Sequence, residues 1–122
     1  MASVMAALVA VALVVARARP VRRLEVVGPS MLPALAPGDR LLAVRTGRAI
    51  RTGDLAVLAD PQEPSRLVVK RVVDVAGDLV TVHGDYAAAS TDSRQFGPVP
   101  RRRVWGRALY RYHPPDRRGA VP

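Results

Sequence analysis

Residues 66–83 read RLVVKRVVDVAGDLVTVH. Two apolar, valine-rich runs flank Ala76-Gly77-Asp78, a strong turn signal. β-branched residues dominate both runs, which favours strand over helix. Strands are expected at Arg66–Val75 and Leu79–His83. Alternation then places Val68, Lys70 and Val72 on one face. Working outward, the same pattern recurs at Arg40–Arg45 after Pro37-Gly38-Asp39, at Asp54–Ala59 between Thr52-Gly53 and Asp60-Pro61, and at Val104–Tyr112. Leu24–Val27 reads as extended. Short strands punctuated by Gly, Pro and Asp imply an all-β sandwich or barrel. The stretch from His83 to Pro100 is a long connection, and long connections in compact domains tend to carry function.

The chain has 122 residues, which suits one domain, and contains no cysteine. Disulfides, thiolate metal sites and cysteine nucleophiles are therefore excluded. Residues 1–16, MASVMAALVAVALVVA, hold no charged side chain. As a helix they would span about 24 Å, short of a bilayer core of roughly 30 Å. Arg17 and Arg19 can snorkel to help the fit. Residues 1–18 are thus expected to form an apolar helix that anchors the chain to membrane lipid, ahead of a domain over 19–112. A cleaved signal peptide and a buried helix are the alternatives; for the former a basic n-region is missing and Ala16-Arg17-Ala18 is a weak cleavage match. The Pro- and Arg-rich tail, 113–122, is expected to fray. The net charge is +9. It attracts anionic surfaces, whether lipid or nucleic acid. Aromatics make up 4% of the chain, too few for base-stacking platforms, so a nucleic-acid-binding module is the weaker reading.

Of the 19 basic residues, one is lysine, Lys70, and the rest are arginine. Arginine stays protonated in proteins, whereas a desolvated lysine can become a neutral base. A partner for such a base occurs at residues 26–39, VVGPSMLPALAPGD. Pro29 and Pro33 restrict the backbone around Ser30. A serine hydroxyl needs a base to attack a carbonyl. His83, His113 and Lys70 are the candidates, and Lys70 lies on a valine-rich strand where burial would lower its pKa. Plainer readings exist. Ser30 could be a turn residue, Lys70 a solvated strand lysine, Ser90 a cap, and Asp92 with Arg94 a surface pair.

Four segments together resemble the type I signal peptidase family, the Ser/Lys peptidases of class S26. They are Gly28-Pro29-Ser30-Met31-Leu32-Pro33 with Gly38-Asp39; Arg51-Thr52-Gly53-Asp54 with Leu55-Ala56-Val57; Val69-Lys70-Arg71-Val72-Val73 with Gly77-Asp78; and Gly84-Asp85 with Ser90-Thr91-Asp92-Ser93-Arg94 and Phe96-Gly97-Pro98. They occur in the family's order and cover most of residues 26–107. The resemblance implies a small signal-peptidase-like β-fold. It also implies Ser30 as nucleophile, Lys70 as general base, Ser90 as the serine that holds the lysine, and Asp92 with Arg94 as a nearby ion pair. The Ser30 backbone N–H would be an oxyanion donor. Some members add a hydroxyl at the position of Gly28, which is absent here. Tyr86 and Ala76 also depart from the usual Asn and Pro beside the two Gly-Asp pairs.

The implied activity is a serine endopeptidase that removes an N-terminal leader from a protein substrate, with no metal or cofactor. Small residues, often Ala, would precede the cleaved bond. A general secretory enzyme and a dedicated maturation peptidase for nickel superoxide dismutase are both compatible. A LexA-like self-cleaving protein shares the chemistry, but STDSRQFGPVP argues against it. Arginines follow the apolar run and none precede it. By the positive-inside rule the active site is expected at the cytoplasmic membrane, on its cytoplasmic face, whereas the resemblance to ordinary signal peptidases implies the outer face.

Overall fold

The computed structural model describes residues 20–46 and 49–122. The expected helix over 1–18 lies outside the described residues, and no helix among them is long and apolar enough to cross a membrane. The described residues form eight strands: β1 Val21–Glu25, β2 Arg40–Arg45, β3 Leu55–Ala59, β4 Leu67–Ala76, β5 Leu79–His83, β6 Val99–Pro100, β7 Val104–His113 and β8 Gly119–Ala120. All pairings are antiparallel, in the order β1-β2-β7-β3-β4-β5-β6, with β8 on β7. The all-β expectation holds. β2 and β5 fall where their sequence places them, whereas β1 begins earlier and ends at Glu25 rather than Val27.

The central strand explains why its sequence is apolar without alternation. Leu55, Ala56, Val57 and Leu58 are all buried, because both faces of β3 are covered. Leu55 and Val57 join a core with Val26, Met31, Leu35 and Leu41. Ala56 and Leu58 join a second core with Val72, Val80, Val82 and Val99. β4 divides the same way. Leu67 and Val69 pack on the first core, and Val68 and Val72 on the second. Lys70 falls on the second face, as alternation predicts.

Register shifts interrupt β2–β7 at Leu42/Ala43, β3–β7 at Val57/Leu58 and β4–β5 at Val72/Asp74. Such bulges bend strands and increase twist. The sheet curls, so that the end of β1 and the first half of β4 line a common cleft although β2, β7 and β3 separate them in the sheet. β5 pairs with β4 from Arg71 onward. Leu67–Lys70 therefore carry a strand edge with no ladder partner among the described residues, and so does the outer side of β1.

The expectation of a frayed tail is corrected. His113 completes β7, β8 pairs with β7, Val121 packs on the first core and Arg117 reaches the buried Asp39. Proline and arginine gave no local periodicity to read, and the contact that fixes the segment joins residues 78 positions apart.

Leu58 is fully buried and Leu79 is 45% exposed. Leu58→Ala is expected to cost about 2–5 kcal/mol, and Leu79→Ala less than about 0.5 kcal/mol. Denaturant midpoints at unchanged slope check both values.

Candidate active site

Three pieces of chain meet at the cleft: the loop after β1, the first half of β4, and the segment that follows β5. The first carries Ser30. Leu32 N–H donates to Pro29 O at 3.1 Å and Leu35 N–H to Met31 O at 2.9 Å, winding the chain from Pro29 to Leu35. Met31 and Leu35 are buried at 1% and 0% exposure and anchor this winding in the core. Ser30 itself is half-buried and lines the cleft. Gly28, also on the cleft, has φ +82°, a conformation strained for any residue with a side chain. The missing hydroxyl at this position thus has a backbone cause.

Lys70 also lines the cleft, at 6% exposure. Its Nζ donates to Ser90 Oγ at 3.0 Å. Ser90 Oγ in turn donates to Asp92 Oδ2 at 2.6 Å. A hydroxyl has one proton, so once Asp92 takes it, Ser90 can only accept from the amine. The direction of the Lys70–Ser90 bond is fixed by Asp92. Burial lowers the Lys70 pKa; the negative charge of Asp92 and then of Asp60 opposes that shift without cancelling it.

Asp92 is fully buried and heavily bonded. Besides Ser90, its oxygens accept from Gly84 N–H at 2.8 Å, Arg94 Nη2 at 2.6 Å, Arg94 Nε at 3.0 Å and Arg94 N–H at 3.0 Å. Burial alone would raise its pKa, but the bonds from Arg94, Ser90 and Gly84 outweigh that and hold it far below the usual carboxylate range. The stability this supplies is present above the ordinary value of 3.8 and is lost as pH falls below it. Asp92 also caps the short helix α1, Ser93–Phe96, in a capping box with Gln95. Ser93 Oγ accepts from Val82 N–H at 2.9 Å and fastens α1 to β5.

Gly84 joins the halves of the site. A Cβ there would lie 2.2 Å from Ser90 Oγ and 2.7 Å from Ser30 O, so only glycine fits. Two residues on, Tyr86 N–H donates to Ser30 O at 2.9 Å. The structure thus brings Ser30, Lys70, Ser90, Asp92 and Arg94 into one neighbourhood. Asp92 is a buried hub rather than one half of a surface pair, and it, not Ser90, caps the helix. His83 ends β5 opposite Arg71 and is not among the cleft residues. Trp105 packs on the first core beneath the Arg22 guanidinium, 5.5 Å from its ring, and Tyr110 is 40% exposed on β7. No cluster suited to a metal ion occurs among the described residues.

The cleft holds about 370 Å³. Leu24, Val26, Met31, Leu67, Val69 and Phe96 give it an apolar lining. Asp60 and Arg66, paired at 3.0 Å, add a polar rim. Sequence reading assigned no role to Gly84, to this rim or to the Tyr86 backbone. Asp92-x-x-Gln95 is a readable capping signal; the steric demand at Gly84 is visible only once three loops are assembled.

The family described as signal peptidase, peptidase S26, matches residues 1–86. The mitochondrial ATP-independent inner membrane protease subunit 1b of Arabidopsis thaliana is 37% identical over 113 residues, spanning 71% of this chain and 67% of that protein. The mitochondrial inner membrane protease subunit 1 of Xenopus tropicalis is 34% identical over 110 residues, spanning 71% and 66%. Subunit 2 of Schizosaccharomyces pombe is 30% identical over 118 residues, spanning 77% and 66%. The matched region contains Ser30 and Lys70 and runs from the apolar N-terminus to Tyr86. With its curled antiparallel sheet and its serine–lysine cleft, this chain belongs to the peptidase S26 signal peptidase family.

Proposed function

We propose that the protein is a serine endopeptidase that removes an N-terminal leader from a protein substrate at a membrane, using Ser30 as nucleophile and Lys70 as base. One observation carries this reading. The chain's single lysine is buried, touches a neutral hydroxyl rather than a carboxylate, and faces the cleft that Ser30 lines.

The reaction is acyl transfer. Neutral Lys70 takes the Ser30 proton as Oγ attacks the scissile carbonyl carbon, and the Ser30 backbone N–H stabilises the oxyanion. The lysine ammonium then protonates the departing amine as the C–N bond breaks, leaving an acyl-enzyme. Water gives a proton to Lys70 and attacks the ester, and Ser30 leaves with that proton. Because Ser90 accepts one N–H of Lys70, the amine lone pair is free to turn toward Ser30. The substrate is an extended segment that lies between the unpaired edges of β1 and Leu67–Lys70. The likeness to signal peptidases supports small side chains just before the cleaved bond. The S26 relatives named as inner membrane proteases, together with the uncharged run 1–16, support a membrane location.

Ser30→Ala and Lys70→Ala are each expected to lower leader-peptide cleavage by on the order of 10⁴-fold or more, with circular dichroism unchanged. Lys70→Arg should be equally inactive because guanidinium stays protonated. Cleavage retained in Lys70→Arg would remove Lys70 as the base.

The rate should rise with pH as Lys70 loses its proton, with a midpoint below 10.5. Asp92→Asn removes a negative charge that favours the ammonium and leaves Arg94 unpaired, so the midpoint of kcat should move to lower pH while its plateau falls. Ser90→Ala should lower kcat about 10–100-fold with KM within about twofold. A pH–rate profile of each variant checks both shifts.

A further inference from the structure

The loop that carries Ser30 leaves the sheet at Val26 and returns at Asp39. Its ends are joined at the base, where Val26 N–H donates to Asp39 O at 2.8 Å and Gly38 N–H donates to Val26 O at 2.8 Å. The returning leg is held again, by groups from the far end of the chain. Asp39 is 1% exposed. Its Oδ2 accepts from Ala36 N–H at 2.9 Å and from Arg111 Nη1 at 3.0 Å, and its Oδ1 accepts from Arg117 Nη1 at 2.9 Å. Arg111 Nη1 also donates to Ala34 O at 3.0 Å, and Arg111 Nε donates to Arg117 O at 2.7 Å. One backbone amide of the leg and two arginines thus meet on one buried carboxylate, and one of those arginines also holds the Ala34 carbonyl.

None of these three side chains lines the cleft. The path from them to Ser30 is short and stiff. Ala34 and Ala36 flank Leu35, whose N–H bonds to Met31 O, and Met31 follows Ser30 directly. A nucleophile misplaced by about 1 Å can lose two orders of magnitude in rate. A buried carboxylate held by two arginines contributes little net stability for its desolvation, but it admits one geometry.

We propose that Asp39, Arg111 and Arg117 form a clamp that positions Ser30 against Lys70, so that the segment after β7 is part of the catalytic apparatus without touching substrate. This rests on Ser30 being the nucleophile. The clamp sets where the hydroxyl stands. Its three side chains make no hydrogen bond or ion pair with Lys70, Ser90 or Asp92.

The test compares the full chain with Arg117→Ala and Arg117→Lys in two measurements. In the first, kcat and KM for a leader peptide are normalised to sites counted by the acyl-enzyme burst. Arg117→Ala should lower kcat per site about tenfold, leave KM within about twofold, and leave the pH midpoint unmoved. Arg117→Lys, which keeps a charged donor, should recover most of the rate. In the second, amide exchange is followed without substrate. Leu32 and Leu35 should exchange about tenfold faster in Arg117→Ala while Val57 in β3 does not change. Should the alanine variant fail to fold, Arg117→Gln gives the same two readouts. Unchanged kcat per site, or exchange that rises equally at Val57, would overturn the clamp and leave a merely stabilising ion cluster. Absence of cleavage in the unsubstituted chain would instead overturn the peptidase reading, while the exchange data would still report on the clamp.

Discussion

A primary amine is costly to bury, and the site is arranged around that cost. Water is the best partner for an ammonium; at 6% exposure Lys70 has lost most of it. A carboxylate in direct contact would favour the charged form more strongly. Ser90 stands between Lys70 and Asp92, so that the amine receives an acceptor and only an attenuated share of the negative charge. Asp92 stays ionised because Arg94 and the Gly84 amide bind it tightly. Ser90 cannot reverse its hydroxyl because Asp92 holds its proton. Each of these residues has its position dictated by the next, and the end of the sequence is the lone pair of one nitrogen.

The sheet brings that nitrogen to the cleft that Ser30 lines. Alternation along β4 puts Lys70 on one face, and the curl imposed by the bulges brings β1 round to confront it. The segment after β5 then ties the two sides together, through the Tyr86 amide on Ser30 O and the Ser90 hydroxyl on Lys70. Gly84 permits this approach by having no side chain. The same curl leaves strand edges unpaired beside the dyad. Exposed edges are normally an aggregation liability; here they lie along a cleft suited to an extended peptide.

Much of this was legible in the sequence, for identifiable reasons. Valine-rich runs beside the Gly77-Asp78 turn marked β4 and β5, and a lone lysine among arginines drew attention to the residue that the structure buries beside the cleft. The cluster of Ser90, Asp92 and Arg94 was legible through the resemblance rather than from composition. What was not legible depends on distance along the chain. Arg117 read as tail because its partner, Asp39, lies 78 positions away. Val99–Pro100 and Gly119–Ala120 are two-residue strands with no periodicity to detect. Asp92 and Arg94 look alike as a surface pair or a buried hub until α1 turns the carboxylate inward beneath Gly84.

Because the chain contains a single lysine, the central claim can be read at one atom. Lysine labelled with ¹³C at Cε gives one side-chain resonance in the full-length protein, and its shift against pH reports the protonation of Lys70 alone. A midpoint below the ordinary 10.5, moving lower still in Asp92→Asn, is the result expected of a buried amine poised as a base. A midpoint at the ordinary value, insensitive to Asp92, would mean a solvated lysine and would contradict the serine–lysine mechanism.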